Sequence, residues 1–173
     1  GVFESKHMYV NIWSTIKYWA VTPAVSTQSD DIQLTFRMAL SKSSSAYNPA
    51  IATTGTDDKF VILISTDNGA TWTILRQWDN AGSAYVYNNI GDEEVAINLN
   101  AYKNQSIKVA FYGASTASNA DNYLHIDDVR IDLIPACSKP ASLNVAKVKA
   151  HTAEISWETV EGQNAWQLAV DTI

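Results

Sequence analysis

The feature that most constrains the fold is a series of eight short strand-like runs, the clearest of which, residues 8–13 and 31–40, alternate apolar and polar side chains. Successive side chains of a β-strand point to opposite faces, so this alternation predicts strands with one buried face. No stretch shows a convincing helical period. The chain is therefore predicted to be all-β, and its main part a two-sheet sandwich of jelly-roll type with no helix longer than two turns. The runs cover residues 8–13, 18–22, 31–40, 60–64, 72–75, 95–99, 107–112 and 121–134.

The run 121–134 is the longest and changes phase part-way. Leu124 and Ile126 have one parity, whereas the apolar residues from Val129 onward have the other. One extra residue at Asp127 and Asp128 would bring both sets to the same face. The sequence therefore predicts a β-bulge at these two aspartates.

The two adjacent carboxylates at this bulge, with Asp121 six residues upstream, allow two interpretations. A hard cation with oxygen ligands, calcium above all, would relieve their repulsion. A solvated strand edge with Arg130 as the counter-charge would do the same. The spacing alone leaves both interpretations open.

Composition excludes several classes of function. The net charge is −6 with a pI near 4.9, and the basic residues are scattered, so nucleic acid is not an expected partner. No apolar run approaches the roughly 20 residues of a membrane span, so we expect no membrane insertion. Cys137 is the only cysteine, which rules out an internal disulfide. No histidine pair has metal-ligand spacing and no G-x-S-x-G or H-E-x-x-H motif occurs, so we expect a protein that is not an enzyme.

Two long polar stretches, residues 41–58 and 79–92, are predicted loops. The second contains Tyr85 and Tyr87. These rings could stack on a sugar or a partner, which makes them candidate ligand-binding residues, or they could simply lie on the surface.

Residues 65–72, Ser-Thr-Asp-Asn-Gly-Ala-Thr-Trp, match the Asp-box pattern S-x-D-x-G-x-T-W. Asp67 can accept hydrogen bonds from the turn backbone, Gly69 supplies a positive φ, and Trp72 can pack over the hairpin. Asp-boxes are familiar from sialidases, but one copy in a chain this short cannot represent a six-bladed propeller. The motif therefore predicts a hairpin staple.

Two prolines, Pro135 and Pro140, delimit a predicted linker, so we expect domains at 1–135 and 136–173. The alternating runs 142–148, 151–157 and 165–170 resemble the start of a fibronectin type III domain, with Trp157 and Trp166 facing inward. A complete domain has seven strands. We therefore expect something else, such as a second chain or an exchanged strand, to complete residues 142–173.

Several segments in one order resemble the cleaved-adhesin domains of bacterial haemagglutinins and gingipain-type proteases, relatives of the MAM fold. These segments lie at 19–25, 34–36, 58–67 with Trp72, and 123–129. The resemblance covers about residues 5 to 135 and implies a structural calcium ion. Asp127 and Asp128 would be its ligands, and we expect Asp121 or Asp31 to contribute.

The resemblance also implies a function. Such domains occur in exported multidomain proteins of Bacteroidetes, often before fibronectin type III modules. It predicts a secreted or cell-surface adhesion module that binds host protein or glycan. An accessory domain that targets a secreted peptidase or glycoside hydrolase is the alternative.

Overall fold

A computed structural model of the chain describes residues 6–42, 52–135 and 141–158. The chain divides into two compact units, Gly1–Ile134 and Pro135–Ile173. Apart from a 3-10 turn at Asn100–Tyr102, the described regular structure is all strand, so the predicted all-β class is confirmed. None of the described residues forms a helix that could span a membrane. The strands of the first unit are β1 Met8–Val21, β2 Val25–Ser26, β3 Ile32–Lys42, β4 Lys59–Ser65, β5 Thr73–Asp79, β6 Tyr85–Val86, β7 Glu93–Asn98 and β8 Ser106–Leu133.

The 28-residue strand β8 organises the first unit. Its first half pairs with β4 and its second half with β3, while β1 runs antiparallel beside both halves. The strand order is β6-β5-β4-β8-β3-β7, with β1 and β2 also paired to β8. We call the part around β4 and β5 the first layer and the part around β3 and β7 the second layer. All pairings are antiparallel except the two-residue pairing of β5 with β6.

The core lies between these two layers. The ring of Phe36 on β3 meets those of Phe60 on β4, Trp78 on β5 and Phe111 on β8 edge-on, at centroid distances of 6.2, 6.3 and 5.5 Å. The alternation of β3 explains this position, because every second residue from Ile32 to Leu40 is buried. The two layers therefore pack face to face, as expected for a sandwich.

The predicted bulge is present. Thr35 pairs with Arg130 and Arg37 with Asp127, so Asp128 and Val129 together oppose one residue of β3. Asp128 has a φ of 51°, which shows the local change of direction. Beyond the bulge Ile131 packs against the core, whereas Val129 and Leu133 remain exposed. Of the three apolar residues that the bulge was predicted to turn toward the core, only Ile131 therefore contacts it.

The Asp-box forms the predicted staple between β4 and β5. Asp67 accepts hydrogen bonds from Ser65 Oγ at 2.7 Å, the Thr71 amide at 2.9 Å and Thr71 Oγ1 at 2.6 Å. Gly69 has a φ of 97°, and the Trp72 ring covers its open side. The bonds from Thr71 hold the pKa of the Asp67 carboxyl well below its usual range.

Asp67→Ala is expected to lower the melting temperature, because three donors of the turn lose their acceptor. The loss should shrink as the pH falls below the ordinary pKa of aspartate, because the unfolded wild type takes up a proton there while the folded carboxylate stays ionised, so the wild type loses the stability that Asp67 contributes. Thermal unfolding at neutral and acidic pH measures both effects. Asp30→Ala, at an exposed position outside the turn, is the control. Equal melting temperatures for the two variants would contradict a stapling role.

The second unit contains β9 Ala141–Lys149 and β10 Thr152–Glu158, which pair antiparallel where the sequence predicts two strands. Trp157 is half-buried. The third predicted strand, with Trp166, lies outside the described residues. Completion of this unit by a second chain or an exchanged strand stays a prediction.

Candidate binding surface

The structure does not bring the four predicted calcium ligands together. The carboxylate of Asp128 lies 3.8 Å from Arg37 Nη1 and 3.6 Å from Arg130 Nη2. Asp127 accepts the Asp128 amide at 2.9 Å. Positive side chains therefore stand beside the bulge, in agreement with the interpretation in which Arg130 supplies the counter-charge.

The other two predicted ligands lie elsewhere. Asp31 forms an ion pair with Lys103, and Asp121 lies opposite Trp13 near the middle of β1. Among the residues described, no three side chains of His, Cys, Asp or Glu form a group that could hold a metal ion. These positions do not fit one shared calcium site at the bulge.

The two tyrosines predicted to bind a ligand, Tyr85 and Tyr87, lie in different environments. Tyr87 is 0% exposed, and its hydroxyl donates to Asn122 Oδ1 at 2.8 Å. Burial raises the pKa of Tyr87 well above its ordinary value. Tyr87 is therefore a core residue with no ring face for a ligand. Tyr85 is exposed, but the Arg76 guanidinium lies 4.6 Å from its ring centroid.

A different set of aromatic side chains forms a continuous outer surface on the first layer. We call Trp19, Trp72 and Tyr112 the aromatic face. The Trp19 ring lies 4.6 Å from that of Tyr112 and 5.9 Å from that of Trp72, centroid to centroid. Lys59 Nζ lies 5.9 Å from the Tyr112 centroid. Trp19 is 49% exposed, so its ring is available to a ligand.

Strand register explains how distant residues meet on this face. Trp19 on β1 pairs with Tyr112 on β8, and Tyr112 pairs with Val61 on β4. The neighbours Ala20 and Phe111 have the opposite parity and pack against the core. Trp72 reaches the face from the Asp-box and packs with Tyr112 over a small buried cluster that contains Val61. The staple therefore also positions one ring of the aromatic face.

A groove of about 390 Å³ opens beside the aromatic face, between the two halves of β1. Tyr9 lines one side and Tyr18 and Trp19 the other, with Phe60 and Phe111 among the residues below. Within the described ranges β1 pairs only with β8, so its second edge has no strand partner there. Trp19 belongs to both the groove and the aromatic face.

A chain of hydrogen bonds joins Ser41 on β3, His125 on β8 and His7, which directly precedes β1. Ser41 Oγ lies 2.8 Å from His125 Nε2, and His125 Nδ1 lies 2.9 Å from His7 Nε2. Serine and histidine in such contact are the parts of an activated nucleophile. Here Ser41 is 0% and His125 1% exposed, so no substrate reaches the hydroxyl. Desolvation, with His7 nearby, lowers the pKa of His125 to about 4. The contact cross-links β3 to β8.

Comparisons with known proteins concern the fold. No protein-family model matches the chain, and no curated protein matches it. Among solved structures, the carbohydrate-binding module TmCBM61, determined with β-1,4-galactotriose, is 12% identical; the alignment covers 74% of this chain and 70% of that chain, with a TM-score of 0.43. A CBM4 structure is 14% identical; the alignment covers 74% of this chain and 84% of that chain, again with a TM-score of 0.43.

Proposed function

We propose that the protein is a non-catalytic binding module that recognises a glycan on its aromatic face. The observation that supports this proposal is the contact between Trp19, Tyr112 and Trp72 on an outward sheet surface. The C–H face of a sugar ring is apolar and packs against the flat face of an indole or phenol. Polar groups at the rim, such as Lys59, hydrogen-bond the sugar hydroxyls and fix its orientation.

The biological setting follows from the resemblance to cleaved-adhesin domains. We infer an adhesion module of a secreted or cell-surface protein that attaches to a host glycan. An accessory domain of a secreted peptidase or glycoside hydrolase would use the same face to hold its catalytic partner on a polymer. A catalytic domain encoded in the same gene supports the second setting.

A protein ligand is the second candidate, and the groove favours it. The second edge of β1 has no strand partner among the described residues, and the apolar side chains of Met8, Tyr18 and Val21 beside it are exposed. An extended peptide could add a strand to such an edge. Binding of this kind would persist after loss of the aromatic face.

A glycan array with the full chain tests the proposal. The wild-type protein should bind at least one glycan of the array. Trp19→Ala should bind that glycan at least about 10-fold more weakly, a loss of about 1.4 kcal/mol of binding free energy. Trp13→Ala is the matched control, because Trp13 is equally exposed on β1 but pairs with Asp121, far along β8 from Tyr112. Absence of any retained glycan, or equal losses for both variants, would contradict the proposal.

A further inference from the structure

Two consecutive acids, Asp57 and Asp58, lie just before β4 and are distinct from the aromatic face residues and from the predicted calcium ligands at the bulge of Asp127 and Asp128. Asp58 is 0% exposed. Its Oδ2 accepts hydrogen bonds from the Gly55 amide at 2.8 Å and from Asn122 Nδ2 at 3.0 Å. Its Oδ1 is buried without a hydrogen-bond partner. A buried carboxylate oxygen without a partner is costly, so this position requires a positive ligand or a proton.

Asp57 repeats the pattern. Its Oδ2 accepts hydrogen bonds from the amides of Thr116 and Ala117 at 2.6 and 2.7 Å and from Ser115 Oγ at 3.0 Å. Its Oδ1 is buried and has no partner. The Ser115 side chain also lies beside Asp58, so both carboxylates are close to one buried hydroxyl. Among the described residues, no lysine or arginine forms an ion pair with either acid.

An irregularity of β8 brings a neutral oxygen to the same place. Ser14 of β1 pairs with Ala117 and Trp13 pairs with Asp121, so residues 118–120 bulge out of the ladder. Asn119 lies in this bulge. Its Oδ1 and the Oδ1 of Asp57 both crowd the side of Gly55 on which a Cβ would stand; that position is 2.7 Å from the Asp57 oxygen and closer still to the Asn119 oxygen. A glycine at position 55 lets the two oxygens converge.

We propose that Asp57 and Asp58, with Asn119, bind a calcium ion at this corner of the first unit. The two open positions are carboxylate oxygens, the kind of ligand that a hard cation takes. Calcium binds neutral amide and carbonyl oxygens as well as carboxylates, so a site with only two acids can hold it. The ion would neutralise two adjacent carboxylates, of which Asp58 is fully buried, and tie the segment before β4 to the β8 bulge. This site does not depend on the proposed glycan binding.

Thermal unfolding of the full chain in EDTA and in excess calcium tests the site. The wild type should melt about 5 °C or more higher with calcium, because an ion that binds only the folded state stabilises it. Magnesium should give a smaller shift, since it demands a stricter octahedral shell. Isothermal titration should show one calcium ion per chain. No shift and no binding heat in the wild type would overturn the proposal.

Three variants locate the ion. Asp58→Asn keeps the side-chain shape and should abolish the calcium response, while melting no lower than the wild type in EDTA because a buried charge is removed. Asn119 is an exposed residue, so Asn119→Ala should leave the fold intact. This variant should bind calcium at least about 10-fold more weakly, because one ligand is lost. Asp128→Asn at the β3–β8 bulge should keep the full response. A response lost in Asp128→Asn, or kept in both other variants, would contradict a site at Asp57 and Asp58.

Discussion

Phe36→Ala is expected to lower the free energy of unfolding by about 3–5 kcal/mol. Phe36 is 1% exposed and contacts the rings of Phe60, Trp78 and Phe111, which belong to the opposite layer. The substitution removes the apolar surface and leaves a cavity between two layers that cannot close fully. Since small domains have only about 5–15 kcal/mol of stability, this loss is a large fraction of the total.

Urea denaturation measures this loss as a lower midpoint with an unchanged slope. Tyr18→Ala is the control, because Tyr18 is 49% exposed and its removal should cost within about 0.5 kcal/mol. A loss below about 1 kcal/mol for Phe36→Ala would contradict a core between two packed layers.

Protonation of His125 is expected to remove on the order of 3 kcal/mol of stability as the pH falls. Its pKa is lowered from 6.5 to about 4 in the folded state, first because the ring is desolvated and then because of His7. The rings of Tyr9 and Tyr123 and the Ser41 hydroxyl also surround it. In the unfolded chain this histidine takes up a proton near pH 6.5. The unfolded state therefore binds more protons between pH 6.5 and 4, and stability falls as the pH decreases through that window.

Urea denaturation across this pH range, compared between wild type and His125→Gln, isolates the effect. The variant should lose most of the pH slope between 6.5 and 4, because glutamine does not titrate. His151→Gln, at an exposed position in the second unit, should retain the wild-type slope. An unchanged slope in His125→Gln would show that the buried histidine is not what couples folding to pH.

Alternation predicted which segments become strands but not where two of them end. Residues 14–17 and 113–120 are mostly small or polar and lay outside the predicted strands. In the structure residues 14–17 pair with residues 114–117, residues 118–120 bulge out of the ladder, and the strand assignment of β1 and β8 continues through both segments. Their hydrogen bonds come from cross-strand pairing, which a single run of sequence does not reveal. The bulge at Asp127 was predictable because it changes the phase of apolar residues within one run.

The candidate sites were harder to predict, because they depend on register. Trp19 and Tyr112 were recognised as strand residues, yet only the pairing of β1 with β8 places them side by side. Tyr87 lies in a predicted loop with no alternation around it, so nothing in the sequence indicates that it enters the core. Asp57 and Asp58 likewise lie in a predicted loop, and their unpartnered oxygens become evident only after folding.

The indole N–H signals of the six tryptophans report directly on the aromatic face during titration with the glycan that the array selects. If the aromatic face binds it, the signals of Trp19 and Trp72 should shift in a saturable way, because their rings lie 5.9 Å apart on that surface. The signals of Trp13 and the buried Trp78 should stay in place. Saturable shifts at Trp13, with Trp19 and Trp72 unchanged, would contradict glycan recognition on the aromatic face.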